Sequence, residues 1–210
     1  SMSSKDLQAA YKRVLPDRFP PTVEISFLDG SRRQTLVYER VQWTVAGEKQ
    51  GLRYGENPGQ EAALYKLING SLTIGNVTTI APGRGLTSDL ELLRSGKHPG
   101  KTNLTDVDSA LTILRGLSDR PSAVVIKHNN PSGVGRGSSA DQAYTRAYDA
   151  DSIAAFGGAV AVNRPVDRAT AEAVASAYCE VVAAPDYEDG TVEILARRKN
   201  LRVMRIGAMD

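Results

Sequence analysis

Lys127 and His128 are adjacent, in the stretch Ile126-Lys127-His128-Asn129-Asn130-Pro131-Ser132-Gly133. An imidazole is a natural general acid or base near neutral pH, and a fixed ammonium can stabilise developing negative charge. The pair directly follows Ser-Ala-Val-Val-Ile-Lys at 122–127, a run that reads as a short buried strand. Strand ends are where α/β folds place ligands. Adjacent residues of an extended strand face opposite ways, so Lys127 and His128 share a site only if the strand ends there. Asn130 before Pro131 is held extended, and Gly133 permits a sharp change of direction. The plain alternative is a solvated strand-to-helix turn.

Other segments carry weaker signals. Leu52-Arg53-Tyr54-Gly55-Glu56-Asn57-Pro58-Gly59-Gln60 packs a cation, an aromatic ring and amides into one loop. Arg53 there could grip a phosphate or carboxylate with two parallel hydrogen bonds. A surface turn broken at Asn57-Pro58 is the alternative. Gly157-Gly158, just before a strand, suits close backbone approach to a ligand, or equally a helix end and tight turn. Asn103, near Asp106 and Asp108, reads as a possible helix N-cap, and Glu180 as a strand-end charge. His98 reads as an exposed loop residue and Cys179 as a small buried hydrophobe. Gly83-Arg84-Gly85 is too short for a phosphate loop.

The chain that must position these residues has 210 of them, 41% hydrophobic, 24% charged and 6% aromatic. Its 26 basic and 24 acidic side chains leave a formal charge of +2, which gives no global case for nucleic-acid binding. One cysteine rules out an internal disulfide framework and a Cys-rich zinc cage, and two histidines leave little for a His-based metal site. No stretch approaches the roughly 18 consecutive apolar residues of a membrane helix. The start, Ser1-Met2-Ser3-Ser4-Lys5-Asp6, lacks a secretory h-region; Met2 is the expected natural start and the cytoplasm the expected compartment.

Residues 4–14 read as a short helix capped by Ser3 or Ser4, with Leu7, Ala10, Tyr11 and Val14 as its stripe. Residues 22–28 and 34–45 read as a β-hairpin turned at Asp29-Gly30, and 46–60 as a loop. Beyond residue 60, helical patterns alternate with short apolar runs. Helices are predicted over 105–117, 138–150, 167–178 with Asp167 as N-cap, and 188–198. Strands are predicted over 122–127, 159–162, 181–184 and 202–206. The alternation argues for an α/β fold with helices on both sheet faces. The expected division is an extension over 1–50 and a main unit over 51–210.

The order of the segments carries more than any one of them. Arg-Tyr-Gly-Glu-Asn-Pro at 53–58 precedes Asn-Leu-Thr-Asp-Val-Asp-Ser-Ala-Leu at 103–111 and Lys-His-Asn-Asn-Pro-Ser-Gly at 127–133. Ala-Tyr-Thr-Arg-Ala-Tyr-Asp-Ala-Asp-Ser at 143–152, Ala-Phe-Gly-Gly-Ala-Val-Ala-Val-Asn-Arg at 155–164 and Glu-Val-Val-Ala-Ala-Pro at 180–185 follow. Arg197-Arg198-Lys199-Asn200-Leu201-Arg202 closes the series. From about Leu52 to Ile206 the chain resembles the AICAR transformylase part of the bifunctional purine biosynthesis proteins.

The resemblance implies a zinc-free, cytidine-deaminase-like three-layer α/β subdomain, here preceded by a short helix and β-hairpin. It implies formyl transfer from 10-formyltetrahydrofolate, as co-substrate, to the 5-amino group of AICAR, giving FAICAR on the way to IMP. Lys127 and His128 match the family's catalytic pair, with His128 as proton acceptor and Lys127 stabilising the formyl oxygen or tuning the histidine. Arg53 and Tyr54 match the AICAR-binding segment, Arg53 at the phosphate. Asn103, Gly157 and Glu180 fall where the family contacts base, carboxamide or ribose. Ser132 stands where many members have Cys or Ala and is not assigned as a nucleophile.

Two departures qualify the resemblance. Residues 1–50 leave no room for a cyclohydrolase domain, so that activity is not expected. The second deaminase-like half, which supplies much of the folate site, is expected beyond Asp210 or on another polypeptide. In the family the active site also lies across a dimer interface, so the resemblance implies a homodimer or an assembly with a chain carrying that half. The alternatives are an AICAR-binding module without turnover of its own and a zinc-free relative with another nucleotide substrate.

Overall fold

The computed structural model describes residues 3–12, 18–55, 57, 59–82 and 89–209. Its centre is a six-stranded mixed sheet in the order β10-β9-β11-β12-β13-β8. These strands are β8 (Glu91–Arg94), β9 (Ser122–Lys127), β10 (Asn130–Arg136), β11 (Ala159–Val162), β12 (Val181–Ala184) and β13 (Arg202–Arg205). β11, β12 and β13 run parallel, while β9 is antiparallel to β11. The carboxyl end of β9 therefore meets the amino ends of the other three.

Period-2 burial explains the layers. Ala123 and Val125 of β9, with Val160, Val162, Val182 and Val203, pack on one side against α3 (Ala140–Ala150), α4 (Arg168–Ala175) and α5 (Thr191–Leu195). Val124 and Ile126, with Ala161, Ala183 and Met204, pack on the other against α2 (Lys101–Arg115). Every residue of β11 and β12 is buried, which is why these strands read as unbroken apolar runs. Each fully buried Val, Ile or Leu contributes roughly 1.5–3 kcal/mol. The expected α/β architecture with helices on both faces is found.

Ahead of this unit lie α1 (Ser4–Lys12), β1 (Thr22–Asp29), β2 (Arg32–Arg40), β3 (Trp43–Val45) and β4 (Glu48–Gln50). Ser3 caps α1: its hydroxyl accepts from the Asp6 N–H at 3.2 Å. Val14 and the side chains of Leu7, Ala10 and Tyr11 lie outside the described residues. β5 (Tyr65–Asn69), β6 (Leu72–Ile74) and β7 (Val77–Ile80) follow. β1, β2 and β5 form one sheet; β3-β4 and β6-β7 are two-stranded ribbons.

Several expectations need correction. Residues 46–60 are not all loop, since Glu48–Gln50 pairs with Trp43–Val45. The second hairpin strand stops at Arg40. Between residues 60 and 100 the regular elements described are strands rather than alternating helices. Glycines at positive φ, Gly70 at 85° and Gly75 at 60°, reverse the chain there. α5 is shorter than residues 188–198 because Gly190, at φ 82°, stands just before Thr191. Gly133 serves contact more than direction: a Cβ there would lie 1.8 Å from Ala147 O, so β10 lies directly on α3.

Candidate functional site

β9 ends at Lys127, and Asn130 pairs back onto it, so His128-Asn129 forms a two-residue hairpin turn. The segment is thus a hairpin turn and not a strand-to-helix turn. Both turn residues have positive φ, His128 at 53° and Asn129 at 62°. That frees His128 from strand alternation, and its side chain is exposed. Lys127 Nζ donates to Phe156 O at 2.6 Å, which draws the ammonium toward Gly157.

Gly157 stands at φ 77°, a conformation that L side chains rarely adopt, and donates its N–H to Tyr178 O at 3.0 Å. An added Cβ would sit 3.4 Å from the Tyr178 ring and 3.9 Å from Lys127 Nζ. Phe156 and Tyr178 stack with centroids 4.8 Å apart, and both are exposed.

The next two strand starts are laced through Glu180. Its N–H donates to Gly158 O at 2.9 Å, and its carbonyl accepts the Arg202 N–H at 3.0 Å. Its carboxylate Oε2 accepts from Asn103 Nδ2 at 3.1 Å. Asn103 is not the N-cap of α2; Gly100 is, and Asn103 Oδ1 accepts the Gly100 N–H at 2.9 Å. One turn further on, Asp106 Oδ1 accepts the Asn129 N–H at 2.8 Å. Burial pushes the Asp106 carboxyl above the ordinary Asp range, while the N–H groups of Asn129 and His128 and the charge of His128 pull it down.

Arg53 is buried, its guanidinium 5.3 Å from the Tyr54 ring centroid. Its N–H donates to Pro99 O at 3.0 Å, and Tyr54 O accepts the Lys101 N–H at 3.3 Å. These bonds seat the loop on the amino end of α2. His98 is not exposed: it is 2% accessible, with Nε2 3.0 Å from Trp43 O and 3.1 Å from Glu48 O. Two carbonyls at one ring nitrogen require that nitrogen to carry the proton. His98 is therefore a structural tie to the β3-β4 ribbon.

Arg53 and Glu180 line a cavity of about 300 Å³ with Lys97, Arg197, Arg198, Lys199 and Arg202. Arg202 is 5% exposed, and its Nε has no hydrogen-bond partner among the described residues. Burial pulls its guanidinium below the ordinary value, Glu180 raises it and Arg53 lowers it further. A cavity with two buried guanidinium groups and one carboxylate is built for an anion. Cys179 also lines it, but burial pushes its thiol up to about 12, so it is an inert wall rather than a nucleophile.

All seven predicted residues gather at one end of the sheet. Only Arg53 and Glu180 line the cavity; Gly157 and Lys127 approach it at Tyr178, His128 sits on the exposed hairpin turn, and Tyr54 and Asn103 sit at the amino end of α2. Sequence reasoning left Asp106 and Arg202 unassigned. The signal for Asp106 was its place three residues after Asn103, on the same helix face. Among the described residues no group of three or more His, Cys, Asp or Glu side chains could hold a metal ion.

A family model described as AICARFT/IMPCHase bienzyme matches residues 22–210, beginning well ahead of Leu52. The bifunctional purine biosynthesis protein PurH of Bacillus subtilis is 40% identical over 169 residues, covering 80% of this chain and 30% of that protein. The protein of the same name from Oceanobacillus iheyensis is 37% identical over 198 residues, 94% of this chain and 34% of its own. The chain thus spans about a third of the length of the curated relatives it matches. Among solved structures, an apo dCMP deaminase from the cyanophage S-TIM5 aligns at TM-score 0.39 and 13% identity, over 46% of this chain and 93% of that one. On the family match and the relatives, this chain belongs to the AICARFT/IMPCHase bienzyme family.

Proposed function

We propose that the chain presents the amine-activating half of an AICAR transformylase active site, in purine biosynthesis. The reaction moves a formyl group from 10-formyltetrahydrofolate to the 5-amino group of AICAR. The observation that supports this reading is a cation-lined cavity of about 300 Å³ whose wall residue Tyr178 lies against Gly157, with Lys127 Nζ on the other side of that glycine, at the sheet end where the strand carrying Lys127 and His128 stops. The cavity offers Arg53 and Arg202 to the phosphate of a ribonucleotide. Glu180, held by Asn103, offers a carboxylate to ribose or amide donors, and Gly157 leaves space for the ring beside Lys127.

An aryl amine beside a carboxamide is a weak nucleophile and needs a base. As its nitrogen attacks the formyl carbon, His128 takes the amine proton and Lys127 stabilises the oxyanion. The bond from carbon to the folate N10 then breaks, and the proton passes to that nitrogen. A positioned acid/base contributes typically about 10²- to 10⁴-fold.

The remaining folate contacts come, in this reading, from parts of the protein outside this chain or from a partner copy. The zinc-free cytidine-deaminase-like description of the sheet and the cytoplasmic location belong to the same proposal. A module that binds AICAR without turnover is the second reading, favoured by an anion-type cavity that Arg53, Glu180 and Arg202 already line together.

The test is formyl transfer followed as tetrahydrofolate release in the full-length protein, with calorimetry on AICAR and folate separately. His128→Ala is expected to lower kcat by at least about 10²-fold while AICAR still binds. Unchanged turnover removes His128 as the base. AICAR binding to the present chain without folate binding favours the module reading.

A further inference from the structure

Asp106 is a carboxylate on the buried face of α2, 6% exposed, and the reaction above gives it no role. Its Oδ1 accepts the Asn129 amide N–H at 2.8 Å. With the Asn129 side-chain amide turned so that both its polar atoms are satisfied, Nδ2 also donates to Asp106 Oδ1 and to Thr105 O, each at 3.2 Å. One buried carboxylate therefore holds the second residue of the turn by both its main chain and its side chain.

The turn needs such a hold. Two-residue hairpins with positive φ at both positions take Asn-Gly by preference, because glycine meets no steric cost there. Here the residues are His128 at 53° and Asn129 at 62°. A non-glycine in the left-handed region costs on the order of 1–3 kcal/mol and persists only where surroundings over-determine it. The side chains of both turn residues are exposed, so apolar packing does not supply that constraint. The acceptor from α2 does.

We propose that Asp106 is a positioning residue: by binding the backbone of the His128-Asn129 turn, it presents the imidazole from helix α2. The same helix holds Glu180 through Asn103, one turn earlier. Two successive turns of α2 thus fix a binding carboxylate and the proton acceptor in one frame. This inference rests on the reading of His128 as the base.

The test uses the full-length protein with Asp106→Ala, Asp106→Asn and the double variant Asp106→Ala/Asn129→Gly. Amide hydrogen exchange of His128 and Asn129 reports the turn; kcat and KM report the reaction. Asp106→Ala is expected to speed exchange at both amides and to lower kcat about 10- to 100-fold, with the KM for AICAR within about threefold. Asp106→Asn keeps an acceptor oxygen, so its kcat stays within about tenfold and its Asn129 amide exchanges moderately faster. The double variant is expected to regain most of the lost kcat, since glycine enters the left-handed region at this turn position without steric cost.

Wild-type exchange rates in Asp106→Ala overturn the proposal, and so does a double variant no faster than Asp106→Ala. If the alanine variant does not fold, Asp106→Asn decides alone, and unchanged exchange at Asn129 overturns it. A loosened turn with undiminished turnover supports the clamp and removes His128 as the base.

Discussion

Asn103 Nδ2 donates to Glu180 Oε2 across 3.1 Å, joining the first turn of α2 to the residue just before β12. The two are 77 positions apart in the chain. The other end of the same amide accepts the Gly100 N–H, so the side chain cannot rotate without losing both bonds. Glu180 lines the cation-rich cavity, and Asn103 fixes how its carboxylate enters it.

Removing that amide releases the carboxylate without removing its charge. Asn103→Ala is expected to cost about 1–2 kcal/mol of stability, and Asn103→Ala with Glu180→Gln less than the sum of the single changes. Each single variant is expected to weaken AICAR binding, Glu180→Gln more than Asn103→Ala. Chemical denaturation and calorimetry over the four proteins of the cycle check this; strict additivity in both removes the coupling.

Gly158 touches the carbonyl side of β9. A Cβ there would lie 2.5 Å from Ile126 O, so Gly158→Ala must push β11 away from the strand that ends in Lys127. Such overpacking costs about 1–3 kcal/mol. The expected fall in Tm is about 3–9 °C, read by calorimetry. The Lys127–Phe156 contact sits beside this seam, so turnover should fall even at temperatures where the variant is fully folded.

Three buried groups resist ionisation. Burial pushes the Cys179 thiol up to about 12 and the Tyr144 and Tyr187 hydroxyls above their ordinary range. A pKa raised in the folded state means that the unfolded chain loses its proton first. The stability these groups contribute is complete below the unfolded Cys value of 9.0 and declines as pH rises toward about 12. Urea unfolding midpoints should therefore fall between roughly pH 9 and 12. At pH 8 a thiol reagent should label Cys179 only once the chain is unfolded; rapid labelling of the native protein contradicts the burial.

Much of the architecture was legible because burial leaves a local trace. Val-Val-Ile, Ala-Val-Ala-Val and Val-Val-Ala-Ala read as strands since both faces of the sheet are covered, and Asp167 caps α4 as its position suggested: Oδ1 accepts the Thr170 N–H at 2.9 Å. The edges were harder. The described elements between residues 65 and 94 are short strands with many exposed positions, so neither period was strong. His98 looked like a loop residue because a Gly-Lys-His-Pro-Gly run carries no sign of the two carbonyls that fold over it.

The α/β class and the buried strands can be read from the chain because they depend on neighbouring residues, and the family can be read from the order of its segments from Arg53 to Arg202. Tertiary structure decided the rest. The antiparallel setting of β9 beside β11 brings Lys127 to Gly157, and the parallel pairing of β12 with β13 brings Glu180 to Arg202. It also decided that Asp106 faces the His128 turn and that Arg202 is buried with Nε unpaired. Those relationships are set by strand order and register across long separations, and a local pattern carries no record of which distant residue lies opposite.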